Sequence, residues 1–210
     1  LDMEINTLYQ NIANVHDTAA NKRWISFVDH WQRLTQKNEK RDVDNNFKQH
    51  TQLIANLLFL IEDEAEQAQL TAHTLSKMPN IGLTWRELIL TAESIGQSRA
   101  IGTGIATSAL CSKVDKIRLS FLKQQILTTT TDVLDKLSYL PEYRIEHNDI
   151  ILTTKARLNG LINVIERELI EPDKVSLNAN EYFQIATKTM SEIDAIFNHQ
   201  VKQIKSLLNN

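Results

Sequence analysis

The sequence predicts an all-α protein, either an elongated antiparallel bundle of about six helices or two stacked four-helix-type modules. Turn-forming residues are scarce, with 5 glycines and 3 prolines in 210 residues. Sandwiches, barrels and doubly wound sheets need many turns, so this scarcity disfavours all of them. Hydrophobic residues, 42% of the chain, recur at steps of three and four, as along a helix with one buried face. We treat residues 1–210 as a single helical domain.

The first two helices follow from this periodicity. The first is predicted from roughly Asp2 to Asn38, with a five-residue stutter that turns its apolar stripe toward a second partner. Its seam consists of Ile5, Leu8, Ile12, Val15 and Ala19, then Trp24, Phe27, Trp31 and Leu34. The second is predicted from about Asp44 to Leu75, before the turn at Pro79. Its buried residues are predicted to be Phe47, Ile54, Leu57, Ile61, Ala65 and Ala68.

Capping patterns set the next two helices. Thr84 and Glu87 have the spacing of a capping box, in which each side chain covers an orphan amide of the other. The third helix is therefore predicted from Thr84 to about Leu110. Ser112 gives a weaker start signal for a fourth helix, which ends before Pro141. The inward-facing residues of the fourth helix are predicted to be Leu119, Leu122, Ile126, Val133, Leu137 and Leu140.

The last two helices are separated by a proline-containing break at Pro172. The fifth is predicted from about Glu146 to Leu169, with Ile151, Leu158, Leu161, Ile165 and Leu169 buried. Asn178 and Glu181 repeat the capping-box pattern, and the sixth helix continues from there to the end of the chain. Its inward residues are predicted to be Tyr182, Ala186, Thr189, Ile193, Ile196 and Leu207. An even number of antiparallel helices brings both chain ends to one side.

Composition excludes several classes of function. The net charge of −3 gives no electrostatic reason to expect nucleic acid. A single cysteine, Cys111, excludes an internal disulfide and a multi-cysteine metal site. The densest apolar stretch, residues 53–61, is far shorter than the roughly 18 residues that a membrane span needs. The chain opens without a signal peptide and helical pattern runs to both ends, so we expect it to be a segment of a longer protein.

No catalytic constellation is visible, so we expect neither an enzyme nor a cofactor or metal site. The 6 histidines are scattered singly, without the spacing that places two imidazoles on one helix face. The carboxylates at 62–66 lack the repeated Glu-x-x-His pattern of di-iron bundles. Gly102, Thr103 and Gly104 lie inside a predicted helix instead of after a strand, which excludes a dinucleotide-binding loop.

One window of the third helix is unusually rich in glycine. Gly96, Ala100 and Gly104 recur every four residues and make a smooth strip that another backbone, or a ligand, can approach closely. Each glycine in a helix interior costs about 1 kcal/mol relative to alanine. Close helix packing and a ligand site are the two interpretations of this strip.

Arg99 lies on the inward seam of the same helix, among residues too small to cover a guanidinium. A buried charge without a partner is strongly unfavourable, so Arg99 needs a carboxylate, carbonyls or a bound anion. An internal partner would be Glu181 or Asp194. The alternative is an anionic or zwitterionic ligand, with Thr103 and Ser98 as hydroxyl partners beside Arg99. Further residues expected to line the same cavity are Glu93, Trp85 and Tyr182.

Two segments resemble the helical extracytoplasmic sensor regions that precede bacterial methyl-accepting chemotaxis, diguanylate cyclase or histidine kinase modules. The first, residues 93–106, reads ESIGQSRAIGTGIA and is similar to the pattern E-x-L-G-x-L-R-A-x-G-T-G-hydrophobic-A. The second, residues 180–197, contains NEYFQIATK and then IDAIF. It is similar to the family's closing helix, which reads Y-F-x-x-x-T and then I-D-x-x-F.

The resemblance implies a periplasmic ligand-sensing domain of an inner-membrane signalling receptor, with transmembrane helices flanking it. The signal would be a small-molecule ligand or a periplasmic binding protein, and the receptor would be a homodimer along the first helix. Ligand binding would slide or rotate the sixth helix against the first. The alternative, from a different class, is a non-catalytic helical scaffold that binds another protein's helix.

Overall fold

The computed structural model describes Thr7 and residues 18–36, 42–78, 80–138 and 148–209. Helices account for 84% of these residues and strands for none of them, so the predicted all-α fold class is confirmed. The chain divides into two compact units, Leu1–Ser76 and Lys77–Asn210, which we describe separately. That the two units act as one sensor domain stays a prediction.

The first unit contains α1 (Thr18–Gln36) and α2 (Val43–Gln67), which pack against each other. Trp24 and Phe27 are buried as predicted, with their ring centroids 5.4 Å apart, and Trp31 and Leu34 pack around them. Arg23 of α1 forms an ion pair with Asp63 of α2 at 2.5 Å. The earlier part of the predicted seam, at Ile5, Leu8, Ile12 and Val15, lies outside the described residues, and so does the side chain of Ala19.

The predicted second helix is too long, and its buried face is predicted correctly only in part. α2 ends at Gln67, and Gln69 adopts a left-handed conformation with φ of 56°. The side chains of residues 66–69 are all exposed, so no apolar contact supports another turn. Of the predicted residues, Ala65 is buried, Ala68 is exposed, and the other four are only partly buried: Phe47, Ile54, Leu57 and Ile61. Leu53 and Leu60, which were not predicted, are buried. Residues 57–61 are all apolar, so periodicity alone does not define the inward face there.

The second unit is a four-helix bundle preceded by one short helical turn. The turn is α3 (Gly82–Trp85), and the bundle helices are α4 (Glu87–Ser108), α5 (Lys113–Ser138), α6 (Asn148–Val164) and α7 (Ala179–Leu208). Each bundle helix packs on the next, and α7 closes the ring against α4. The largest fully buried side chains include Ile95, Leu119, Ile126, Leu161, Ile165 and Tyr182.

Two of the three predicted capping signals are confirmed. Ser112 Oγ accepts a hydrogen bond from the Asp115 amide at 3.1 Å, and Asn178 Oδ1 accepts from the Asn180 and Glu181 amides at 2.9 and 3.1 Å. These bonds satisfy amides that the first helical turn leaves without partners.

The third prediction, a capping box with Thr84 at the N-cap, is wrong. Thr84 lies inside α3, is fully buried, and its Oγ1 has no hydrogen-bond partner among the described residues. Ile81 and Leu83 are also buried, which draws Gly82–Trp85 into a turn of its own. The chain breaks at Arg86, with φ of −107° and ψ of −73°, and α4 begins one residue later.

The predicted core of the last two helices is confirmed at ten positions. Ile151, Leu158, Leu161, Ile165 and Leu169 are buried, as are Tyr182, Ala186, Thr189, Ile193 and Ile196, whereas Leu207 is only partly buried. The end of the predicted fifth helix, Ile165–Ile170, is π-helical. The predicted positions Leu140, Pro141 and Glu146 lie outside the described residues, as does Pro79. Within the described chain, no helix combines the length and apolar character needed to cross a membrane.

Candidate functional site

Arg99 lies at the interface of α4 and α7, where its partners are neutral. Its Nη1 donates a hydrogen bond to Thr187 Oγ1 at 2.9 Å, and its guanidinium carbon lies 4.7 Å from the centroid of the Phe183 ring. Neither Glu181 nor Asp194, the internal partners considered from the sequence, forms an ion pair with it among the described contacts. An arginine carries five N–H donors. No carboxylate among these contacts compensates the charge of Arg99. Its remaining N–H groups can therefore donate hydrogen bonds to a bound anion.

Tyr182 fills the same interface next to Arg99. Its side chain is fully buried, and its hydroxyl donates to the Ser98 carbonyl oxygen at 2.9 Å. A Cβ placed on Gly102 would lie 2.5 Å from Tyr182 Cζ and 2.7 Å from its Oη. Only a glycine at 102 therefore leaves room for the ring in this position.

The glycine strip expected from the sequence is not where the helices come closest. Ala100 is exposed, and a Cβ on Gly104 would meet nothing within 4 Å. On Gly96, a Cβ would make only ordinary contacts, 3.9 Å from Met190 Cε. The close approach occurs at Gly102, on the face of α4 that α7 covers, so Gly102 is explained by helix packing.

The two segments that carry the family resemblance meet at this interface. The tyrosine of the closing-helix pattern packs on Gly102, and its phenylalanine and threonine, Phe183 and Thr187, contact Arg99. The contacting residues are 80 to 88 positions apart in the sequence. Phe183 and Thr187 are part of the quoted pattern, but the sequence did not identify them as partners of Arg99. The available signal was the four-residue spacing between them, which places both on one face of the helix.

The other predicted site residues are not all gathered around Arg99. Ser98 is buried and donates its hydroxyl to the Ile95 carbonyl oxygen at 2.8 Å, which engages its only donor. Thr103, one turn beyond Arg99, has a buried Oγ1 without a hydrogen-bond partner among the described residues. Glu93 lies about 9 Å before Arg99 along the α4 axis. Trp85 belongs to α3, more than three turns of helix before Arg99.

Glu93 is the carboxyl group of this set, and its environment favours the neutral form. Burial raises its pKa, and a hydrogen bond from Gln97 Nε2 at 2.8 Å partly opposes that effect. Folding raises the pKa of Glu93. The contribution of Glu93 to the free energy of unfolding is therefore largest at pH values below 4.5, its ordinary pKa, and it falls as the pH rises through the pKa of the folded state.

Replacing Glu93 by glutamine is therefore expected to raise the free energy of unfolding at pH 7, with little effect at pH 4. Glutamine stays neutral, so it removes the cost of burying the charge. Urea unfolding at the two pH values measures the difference, and Glu168→Gln, at an exposed position, is the matched control. A gain of equal size at both pH values would contradict this account.

A second feature is a groove of about 650 Å³ between α6 and α7. Its volume lies in the range of small-molecule sites. The groove is not visible in the sequence, because its residues come from two helices and form no motif. None of the six predicted site residues lines it. The lining residues are Thr153, Ala156, Arg157, Gly160, Leu161, Val164, Glu181, Gln184, Ile185, Lys188 and Thr189.

A smaller cavity of about 230 Å³ lies between α5 and α6. Its walls are mainly apolar, and Thr130, which lines it, has a buried Oγ1 without a described hydrogen-bond partner. Lys155, which also lines this cavity, forms an ion pair with Asp135, with 2.8 Å between Nζ and Oδ1. The volume falls below the usual range for small-molecule sites. Among the residues that the structure describes, no three of His, Cys, Asp and Glu are close enough to hold a metal ion.

Comparisons of the chain with family models, curated proteins and solved structures give no match. The likeness to sensor regions therefore depends on residues 93–106 and 180–197 alone. Sensing, the periplasmic location and the flanking transmembrane helices stay predictions.

Proposed function

We propose that this chain is the ligand-sensing part of a bacterial transmembrane signalling receptor, located in the periplasm. The observation that carries the proposal is the contact between the two segments that resemble sensor regions. Arg99 and Gly102 from the first segment contact Thr187, Phe183 and Tyr182 from the second. Residues that form a real structural pattern are expected to meet in the fold, and these do so across 80 to 88 positions of the sequence.

The architecture of the second unit gives this proposal a route for signalling. α7 packs against both α4 and α6, so a ligand at either interface changes the packing of the same helix. Packed helices shift between discrete arrangements by small slides or rotations. A ligand that favours one arrangement moves the population toward it, by as much as its affinity differs between the two.

The proposed input is a small anionic or zwitterionic molecule recognised by Arg99. The guanidinium has a hydroxyl and an aromatic ring as its described partners and no carboxylate, so a ligand carboxylate or inorganic anion would supply the missing charge. Bidentate pairing with a carboxylate suits the fixed geometry of the guanidinium donors.

A thermal-shift screen with inorganic anions, amino acids, organic acids and purines tests the proposal. A ligand at 100 times its Kd stabilises by about 2.7 kcal/mol, which raises Tm by several degrees. We expect at least one such shift, and we expect Arg99→Ala to remove it. Arg99→Ala also loses the contacts with Thr187 and Phe183, so its Tm without ligand should be lower. The quantity to compare is therefore the ligand-induced change in Tm of each protein.

The matched control is Arg167→Ala, which removes an exposed arginine of the same unit. It should keep the full ligand-induced shift. A shift that survives Arg99→Ala would show that Arg99 does not bind the ligand. The absence of a shift with every compound in the panel would contradict recognition of a small anion or zwitterion of these classes at Arg99.

One observation favours the second candidate function, a scaffold that binds another protein's helix. Val114, Ile117 and Phe121 lie at helical spacing on α5, and each is more than half exposed. Leu110, just before α5, is 62% exposed. Exposed apolar residues grouped on one face are typical of an interaction surface. If no compound in the thermal-shift panel raised the Tm, the scaffold function would be favoured.

A further inference from the structure

The groove between α6 and α7 has charged residues of opposite sign at its two ends. Glu181 and Lys188 both line it from α7, and their separation of seven residues, two helical turns, corresponds to about 10 Å along the axis. Arg157 lines it from α6 and reaches toward Glu192, one turn beyond Lys188, at 3.5 Å. Both cations therefore lie at the end away from Glu181.

These charges are only partly compensated by the protein. Lys188 and the Glu181 carboxylate have no hydrogen bond or ion pair among the described residues. The single ion pair, between Arg157 and Glu192, is long, and the Arg157 side chain is 51% exposed. An exposed pair of this kind is weak and exchanges easily for another carboxylate. One end of the groove thus carries a net positive charge and the other a single carboxylate.

The floor between the two ends is apolar and open. Leu161, Val164 and Ile185 form it, and a Cβ on Gly160 would meet nothing within 4 Å. Small apolar side chains of a bound molecule fit such a surface, whereas a long polar one would lose hydration there.

We propose that this groove binds a short peptide of about three residues as a zwitterion. Its terminal ammonium pairs with Glu181, and its terminal carboxylate pairs with Lys188 and Arg157. An extended chain spans about 3.3–3.6 Å per residue, so three residues cover the roughly 10 Å between the two charged ends. A free amino acid is too short to engage both ends at once. Arg99 is not among the lining residues, so this site is separate from the one tested by Arg99→Ala.

Calorimetric titration of the chain with trialanine tests the proposal. We expect saturable binding, and we expect N-acetyl-trialanine and trialanine amide each to bind about tenfold more weakly, since each lacks one terminal charge. Free alanine should bind no better than the capped peptides. Equal affinity of all these probes, or no binding of trialanine, would overturn the proposal.

Variants test the location of the site. Glu181→Gln and Lys188→Met should each raise the Kd for trialanine about tenfold, and Lys202→Met, at an exposed lysine of α7 outside the groove, should leave it unchanged. Glu181→Gln should also equalise the affinities of trialanine and its acetylated form. If it does not, the ammonium does not bind at Glu181.

A further variant tests the location of the site by filling the groove, without removing a charged side chain. Gly160→Leu places a side chain in open space and replaces a poor helix former with a good one, so Tm should not fall. Trialanine binding should nevertheless be lost, whereas Gly104→Leu, at another glycine with open space, should retain it. Full binding by Gly160→Leu would exclude this groove as the site. Loss of binding in Arg99→Ala would likewise move the site away from the groove.

Discussion

Replacing Tyr182 by alanine is expected to lower the free energy of unfolding of the second unit by about 3–5 kcal/mol. The ring is fully buried between α7 and α4, so its removal leaves a cavity next to Gly102 that the helices cannot fill without moving. Urea unfolding followed by circular dichroism measures the change. Helical content in the absence of urea should be retained, since the other core residues remain in place.

Tyr182→Phe separates the ring from its hydroxyl. This variant keeps the packing on Gly102 and loses only the hydrogen bond to the Ser98 carbonyl, so we expect a loss of about 1 kcal/mol. Equal losses for the alanine and phenylalanine variants would show that ring burial does not hold α4 and α7 together.

Gly102→Ala is expected to destabilise the same unit by up to about 2 kcal/mol. The added methyl group meets the Tyr182 ring 2.5 Å from Cζ, and the ring cannot move freely because it is buried and its hydroxyl is bonded to Ser98. Overpacking typically costs about 1–3 kcal/mol, and the better helix propensity of alanine returns about 1 kcal/mol. A lowered urea midpoint with an unchanged slope would report this loss.

Gly104→Ala is the matched control, two residues further along the same helix. A Cβ there meets nothing within 4 Å, so only the propensity gain of about 0.5–1 kcal/mol remains and the protein should become more stable. In the Tyr182→Ala background, Gly102→Ala should also lose its cost, since the atoms it meets are gone. Equal effects of the two glycine substitutions in the native background would contradict the packing account.

Periodicity and capping chemistry were sufficient for most of the second unit. The ten confirmed core positions of the last two helices lie at clear three- and four-residue steps, where only one face is apolar. Asn178 and Ser112 supply acceptors to the amides next to them, which is a local interaction and therefore visible in the sequence.

The errors occur where local patterns compete with tertiary burial. Thr84 and Glu87 have capping spacing, yet the burial of Ile81 and Leu83 forms a separate turn and delays the start of α4. In α2, consecutive apolar residues leave two possible inward faces, and contact with α1 selects the one with Leu53 and Leu60.

At the candidate site, too, some features were predictable from local sequence and others depended on tertiary packing. The sequence predicted that Arg99 lies among small residues with its guanidinium in the bundle interior, because helical spacing defines a face. In the structure Arg99 is only partly buried, and it stacks on Phe183, which is 39% exposed. The sequence did not predict that Gly102, and not Gly104, receives the partner side chain, or that Arg99 finds Thr187 and Phe183. These facts depend on the register between α4 and α7, which neither helix specifies by itself.

The sequence by itself determined that this protein is helical, where most helices run, and which residues of the last two helices form the core. Each of these follows from interactions within about one or two turns of the chain. Tertiary packing decided the break before α4, the contact between Gly102 and Tyr182, and the groove between α6 and α7. Those features join residues that are distant in the sequence, so their free energy depends on how two helix surfaces fit together.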